Sequence, residues 1–172
     1  GTRYKIEFFI FKDTASLMID LSGTPLHKRG YRPERVEAPI RETLAAAMVK
    51  LARPRENVLL WDPFCGSGTI AIEAAMQMKN IAPGMKRSFV SEDYPIFPGE
   101  SWKIFREKAE DEVIRNTTFE AYATDIDEKC VDIAVASAKR AGVDDCITSF
   151  QMDALTIGTM GRRGTIVTNP PY

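Results

Sequence analysis

Apolar residues cluster in two short runs at the start of the chain, Lys5 to Phe11 and Ser16 to Leu21. The polar Lys12, Asp13 and Thr14 between them predict a β-hairpin. After a Gly-Thr-Pro turn at Gly23 to Pro25, a helix is predicted from Pro39, a residue suited to the first helical turn. Ile40, Leu44, Met48 and Leu51 recur at helical spacing and mark its expected buried face. Asn57 to Trp61 then reads as a short strand, followed by a glycine-containing loop and a helical pattern over Ile70 to Met78. A polar, proline-rich interval, Ala82 to Gly99, has the character of an insertion and leads into a charged helix over Ser101 to Ile114. The remainder alternates: strand Phe119 to Thr124, helix Glu128 to Ala141 stopped at Gly142, and strands at Ile147 to Gln151 and Gly164 to Thr168. Strands alternating with helices predict an α/β fold with a parallel sheet and a hairpin extension at its amino end. The candidate motifs come directly after predicted strands, so all should meet at the carboxyl edge of that sheet. The chain stops just after the fourth strand, and the sheet is expected to be incomplete.

Composition narrows the picture. With 172 residues, 44% of them apolar, one main core is expected. The predicted division is a hairpin and basic connector over 1–37 and a larger unit over 38–172. Cys65, Cys130 and Cys146 are widely spaced beside a single histidine, His27, which gives little support for a metal site or disulfide framework and fits a reducing, cytoplasmic setting. No apolar run approaches the roughly 20 residues that span a bilayer, so no membrane association is expected. Lys plus Arg total 23 against 24 acidic residues, which denies the chain a global basic footprint. One local strip survives the average: Lys28, Arg29, Arg32 and Arg35, with Tyr31 among them, opposed nearby only by Glu34. Lys28, Arg29, Tyr31 and Arg32 are therefore the candidate RNA contacts.

Asp62-Pro-Phe-Cys-Gly-Ser-Gly-Thr69 carries the first chemical signal. A chain turning sharply from strand to helix beside a ligand needs glycine, here Gly66 and Gly68, for positive φ and for room. Asp62 can orient the loop or approach an amino group of a cofactor, and Ser67 or Thr69 can cap the next helix. Phe64 and Cys65 complete the expected cradle; Cys65 lacks an activating neighbour and suits a packing role better than a nucleophilic one. An ordinary strand-to-helix turn would also use this Gly-x-Gly. The lysine and spacing of a P-loop are missing, so ATP or GTP is not expected. Asp125, with Ile126, comes at the end of the second strand of the alternating region, where a carboxylate can accept from two ribose hydroxyls. Asp127 is better explained as the N-cap of the Glu128 helix. Asp153, with Ala154, lies just beyond the third strand and could accept from an adenine amino group, or be a plain loop aspartate.

Asn169-Pro-Pro-Tyr172 is the more discriminating string. An exocyclic amine is a weak nucleophile because its lone pair is delocalised into the ring, and acceptors for its two hydrogens help it react. Asn169 offers a side-chain carbonyl and Pro170 a backbone carbonyl without a competing N–H. The prolines hold the turn rigid, and Tyr172 can stack on a base. Together the two strings imply S-adenosyl-L-methionine as cofactor and methyl transfer to a planar exocyclic nitrogen, with Asn169, Pro170 and Tyr172 as the catalytic candidates and no metal.

These residues, together with Asp20-Leu-Ser-Gly23, Leu26-His-Lys-Arg-Gly-Tyr-Arg32, Ala38-Pro-Ile-Arg-Glu42, Asn80-Ile-Ala-Pro-Gly84 and Asp125-Ile-Asp127, resemble the bacterial ribosomal RNA guanine-N2 methyltransferases that carry a THUMP domain. Related transfer RNA enzymes share much of the pattern. The resemblance implies a Rossmann-like class I S-adenosylmethionine-dependent methyltransferase fold, a guanine-N2 substrate with 23S rRNA as the favoured target, and a THUMP domain upstream. Glutamine-N5 methylation of a protein, adenine-N6 methylation and a noncatalytic RNA-binding module remain alternatives.

Overall fold

The computed structural model describes residues 2–32, 40–158 and 161–171. The expected helix start at Pro39, together with Arg35 and Tyr172, lies outside them. Strands β1 (Ile6–Phe11) and β2 (Thr14–Ile19) form the antiparallel hairpin, with Phe11 opposite Thr14. Its turn is only two residues, Lys12 and Asp13, at φ 47° and 59°. Paired left-handed residues match the twist of the flanking strands, so the tight turn fits. Apolar side chains on both faces of the hairpin are exposed.

The main body holds helices α1 (Glu42–Ala52), α2 (Thr69–Met78), α3 (Gly99–Asp111) and α4 (Glu128–Ala141). Its strands β3 (Leu59–Asp62), β4 (Ala121–Asp125), β5 (Ile147–Gln151) and β6 (Gly164–Ile166) make a parallel sheet in the order β5-β4-β3-β6. Leu60, Ala121 and Ala123 point into the main core, which they share with Ala45, Val49, Ile70, Ala74, Ala134 and Ala138 of α1, α2 and α4. By strand alternation Trp61, Tyr122 and Phe150 lie on the other face, packed edge to face in a row.

The buried face of α1 differs from the expected one. Glu42, Ala45 and Val49 are buried, whereas Leu44 and Leu51 are exposed. Small Ala45 lets α1 lie close against α2, and Glu42 turns inward because it meets Arg32. The predicted insertion, 82–99, fastens the base of the hairpin. Arg87 donates to the carbonyls of Ser22 (3.1 Å), Pro25 (2.9 Å) and Thr24, Ser91 Oγ donates to Leu21 O (2.8 Å), and the Tyr94 hydroxyl donates to Asp20 O (2.7 Å). Arg106 of α3 braces the same interval through the Met85 and Arg87 carbonyls and Glu92. No helix among the described residues is long and apolar enough to cross a membrane.

Candidate functional site

β3 lies in the middle of the sheet, so the loop leaving its carboxyl end is flanked by the ends of β4 and β6. The chain passes from Asp62 into that loop, which is held by backbone bonds from Cys65 N to Thr124 O (2.9 Å) and from Gly68 N to Cys65 O (2.8 Å). Gly66 and Gly68 have φ of 51° and 77°, as the sequence predicts for this turn. Their surroundings differ. A Cβ at Gly66 would meet nothing within 4 Å, whereas one at Gly68 would lie 2.9 Å from Ala134 Cβ. Gly66 therefore opens onto free space and Gly68 is the close contact between α2 and α4. Gly68 is also the N-cap of α2, with no side-chain cap bond, in place of the expected Ser67 or Thr69. The left-handed turn puts the cap on the glycine, and the two hydroxyls face each other at 3.1 Å. Cys65 is buried and its thiol is pushed up by burial, with Asp62 and Asp125 adding to the effect, which suits packing.

Asp62 is almost fully buried, at 1% exposure. Its Oδ1 accepts from Phe64 N (3.3 Å) and from Thr168 Oγ1 (2.7 Å). Burial, with a smaller contribution from the Asp125 charge, pushes its carboxyl up to about 6, against the pull of those two bonds. Asp125 ties the loop to the neighbouring strand end. Its Oδ2 accepts from Gly66 N (2.9 Å), its Oδ1 from Asp127 N (3.1 Å), and its carbonyl from Met152 N (2.9 Å). Asp127 caps α4 by accepting from Lys129 N (2.9 Å). Asp153 is exposed, and its Oδ1 accepts from Leu155 N in a short 3-10 turn that includes Ala154. Phe64 and Ile126 are exposed at this rim, as is Leu155, whose 92% exposure is high for leucine. Sequence reasoning misses Leu155, although its place two residues after Asp153 is a usable signal.

The segment after β6 continues through Val167 N to Trp61 O (3.0 Å), then the Thr168 bond to Asp62, after which Asn169 and Pro170 are exposed. Thr168 is missed too, because no local pattern pairs it with a carboxylate 106 positions away.

Of the four expected RNA contacts, Lys28 is exposed and the rest turn inward. Arg29 Nε donates to Glu73 Oε1 (3.3 Å), the Tyr31 hydroxyl donates to the same oxygen (3.0 Å), and Arg32 Nη2 donates to Thr69 Oγ1 (2.6 Å) and Ile40 O (2.8 Å). Burial, together with the Glu73 and Glu42 charges, pushes the Tyr31 hydroxyl far up. Arg29, Tyr31 and Arg32 thus fasten the connector to α1 and α2, the two arginines answered by Glu73 and Glu42, while Lys28 stays exposed.

Residues 29–172 match the family model described as UPF0020, "RMKL-like, methyltransferase domain". The chain belongs to this family. A Bacillus subtilis (strain 168) relative, YpsC, named provisionally as an RNA methyltransferase, is 46% identical over 172 residues, covering 100% of this chain and 45% of the relative. The ribosomal RNA large subunit methyltransferase K/L of Vibrio parahaemolyticus serotype O3:K6 is 38% identical, covering 98% of this chain and 25% of its own length. A solved structure, SMU.472, described provisionally as a methyltransferase and complexed with SAH, superposes with a TM-score of 0.89 at 37% identity, covering 100% of this chain and 45% of that one. The fold is accordingly the α/β methyltransferase fold with a hairpin at its amino end. The chain spans less than half the length of these relatives.

Proposed function

We propose that this chain is the catalytic region of an S-adenosylmethionine-dependent RNA methyltransferase acting on guanine N2, with 23S rRNA as the preferred target. The observation that carries the reading is the 2.7 Å bond from Thr168 to Asp62, which brings the Asn-Pro-Pro segment beside the glycine loop. The names of the relatives support RNA, and the SAH complex of SMU.472 supports the cofactor.

The residues fit that cofactor. The open space over Gly66 leaves room along the loop, and the carboxylates Asp62, Asp125 and Asp153 suit an ammonium group, a ribose diol and an adenine amino group in turn. Phe64, Ile126 and Leu155 offer apolar surface for the base, and the loop's other members, Cys65, Ser67, Thr69 and Ala154, shape its walls. Bound S-adenosylmethionine supplies an electrophilic methyl group on a sulfonium centre. Asn169 Oδ1 and the Pro170 carbonyl accept the two N2 hydrogens, turning the amine's lone pair toward that methyl. With the cofactor bound, the same two acceptors would stabilise the positive charge that develops on the amine as it takes the methyl group, and the amine's proton would be lost to solvent. Tyr172 stacks on the extruded base, and Lys28 meets the backbone. The unit over 38–172 performs the chemistry, and the hairpin and connector over 1–37 join it to an upstream THUMP domain. The setting is cytoplasmic, where ribosomal RNA is made.

The test is transfer of labelled methyl from S-adenosylmethionine to unmodified ribosomal RNA by the longest natural polypeptide carrying these residues, with nucleoside analysis of the product. N2-methylguanosine is expected, and Asn169→Ala lowers kcat by about 10²–10³ with SAH affinity intact. Label in N6-methyladenosine or in a protein glutamine would replace the substrate assignment, and no transfer at all would leave a binding module.

A further inference from the structure

Thr69 begins α2 directly after the left-handed Gly68, and its hydroxyl meets two partners: Ser67 Oγ at 3.1 Å and Arg32 Nη2 at 2.6 Å. A polar chain therefore runs from the connector, through Arg32 and Thr69, into the loop. Arg32 also donates to the carbonyl of Ile40, just before α1, and its Nε faces Glu42 Oε1 at 3.7 Å. The pair is costly. Glu42 is 4% exposed, and both its Oε2 and Arg32 Nε are buried without a hydrogen-bond partner among the described residues. Desolvating two charges for a 3.7 Å contact stabilises little, and one attested use of such a pair is to fix orientation. One turn further along α2, Arg29 and Tyr31 both grip Glu73, so the connector is held there without any need for Arg32.

The structure assigns Arg32 as a positioning residue for the cofactor loop, acting through the Thr69 hydroxyl to hold the Ser67-Gly68 turn. This rests on the reading of Asp62 to Thr69 as the cofactor cradle. A guanidinium can reach the Ile40 carbonyl, Thr69 and Glu42 together because its donors are fixed in a planar fork; a lysine ammonium keeps the charge and loses the fork. A phosphate contact, in contrast, depends mainly on charge.

The experiment measures SAH Kd by calorimetry, KM for S-adenosylmethionine and for RNA, and the salt dependence of RNA binding, on the longest natural polypeptide. Arg32→Lys and Thr69→Val are each expected to weaken SAH about tenfold. The double variant should be no weaker than either single one, because both break one link. Thr69→Ser keeps the acceptor and restores affinity to within about twofold, and RNA KM and its salt slope stay unchanged. Glu73→Gln lowers Tm but leaves SAH Kd alone. Additive losses in the double variant, or Arg32→Lys that weakens RNA binding with SAH affinity intact, would overturn the assignment. If Arg32→Lys does not fold, Thr69→Val decides from the other end: undiminished SAH affinity there overturns it. Wild-type protein that binds no SAH sinks the cradle reading instead.

Discussion

Replacing Asp62 by asparagine should make the ligand-free protein more stable and the cofactor bind less well. Asp62 is buried with its carboxyl pushed up to about 6, against 3.8 for an ordinary aspartate. That difference corresponds to about 3 kcal/mol. The folded state holds a proton that the unfolded chain has given up, so the stabilisation is full below about pH 4 and is lost as pH rises through 6. At pH 7.5 the wild type carries the whole cost of a buried charge. Asparagine carries none, and its Oδ1 can still accept from Phe64 N and Thr168 Oγ1. Asp62→Asn should therefore gain about 2–3 kcal/mol at pH 7.5, roughly 4–12 °C in Tm, with the gain closing toward pH 4. Differential scanning fluorimetry across pH 4–8 reads this directly. Calorimetry with SAH should show the opposite sign: affinity about 10–100-fold weaker in the variant, from losing a charged partner for the ammonium group. Wild-type affinity should itself weaken as pH falls through 6, while the variant's stays flat. A variant no more stable than wild type at pH 7.5 would refute the buried-charge argument. A stabilised variant with unaltered SAH affinity would refute the role of Asp62 toward the cofactor.

The same geometry sets other outcomes. Gly68→Ala combines positive φ with a 2.9 Å approach to Ala134 and should cost about 2–5 kcal/mol, whereas Gly66→Ala meets open space and should cost only about 1–2 kcal/mol, both read by denaturant titration. For SAH affinity Gly66→Ala should be damaging, since its methyl would fill the room left for the ligand. Thr168→Val removes one of the two bonds that hold the Asp62 carboxyl down, so it should cost about 1–3 kcal/mol and move the pH midpoint of stability upward, with Thr168→Ser close to wild type. Asp127→Ala removes the α4 cap and should cost about 1 kcal/mol with no change in SAH Kd, which separates capping from cofactor binding at that position.

Local signals are enough where one element decides the outcome. The helix over Glu128 to Ala141 and the strand over Ile147 to Gln151 appear at their expected bounds, because a cap, a stop glycine and a short β-prone run sit in order. The glycine loop is equally legible, while its strand, expected over Asn57 to Trp61, runs from Leu59 to Asp62. Features that depend on partners far along the chain are not. Hydrophobicity ranks Leu44 and Leu51 above Ala45 and Glu42, but helix contact rewards small residues, and Glu42 is buried by an arginine ten positions earlier. Charge counting sees Arg29 and Arg32 as free cations because the local window holds only Glu34, while the acids that answer them are Glu42 and Glu73. Thr168 gives no sign of its bond to Asp62.

The bond between Thr168 and Asp62 also orders events during synthesis. The two residues lie 106 positions apart along the chain, yet β3, which ends at Asp62, and β6, just before Thr168, are neighbours in the sheet. At roughly 5–20 residues per second, the glycine loop is synthesised about 5–20 s before Asn169. A growing chain thus holds the loop well before the Asn-Pro-Pro segment, and the two are joined only when β6 docks beside β3. A nascent chain that ends before β6 therefore has the glycine loop but neither Thr168 nor Asn169 to set beside it.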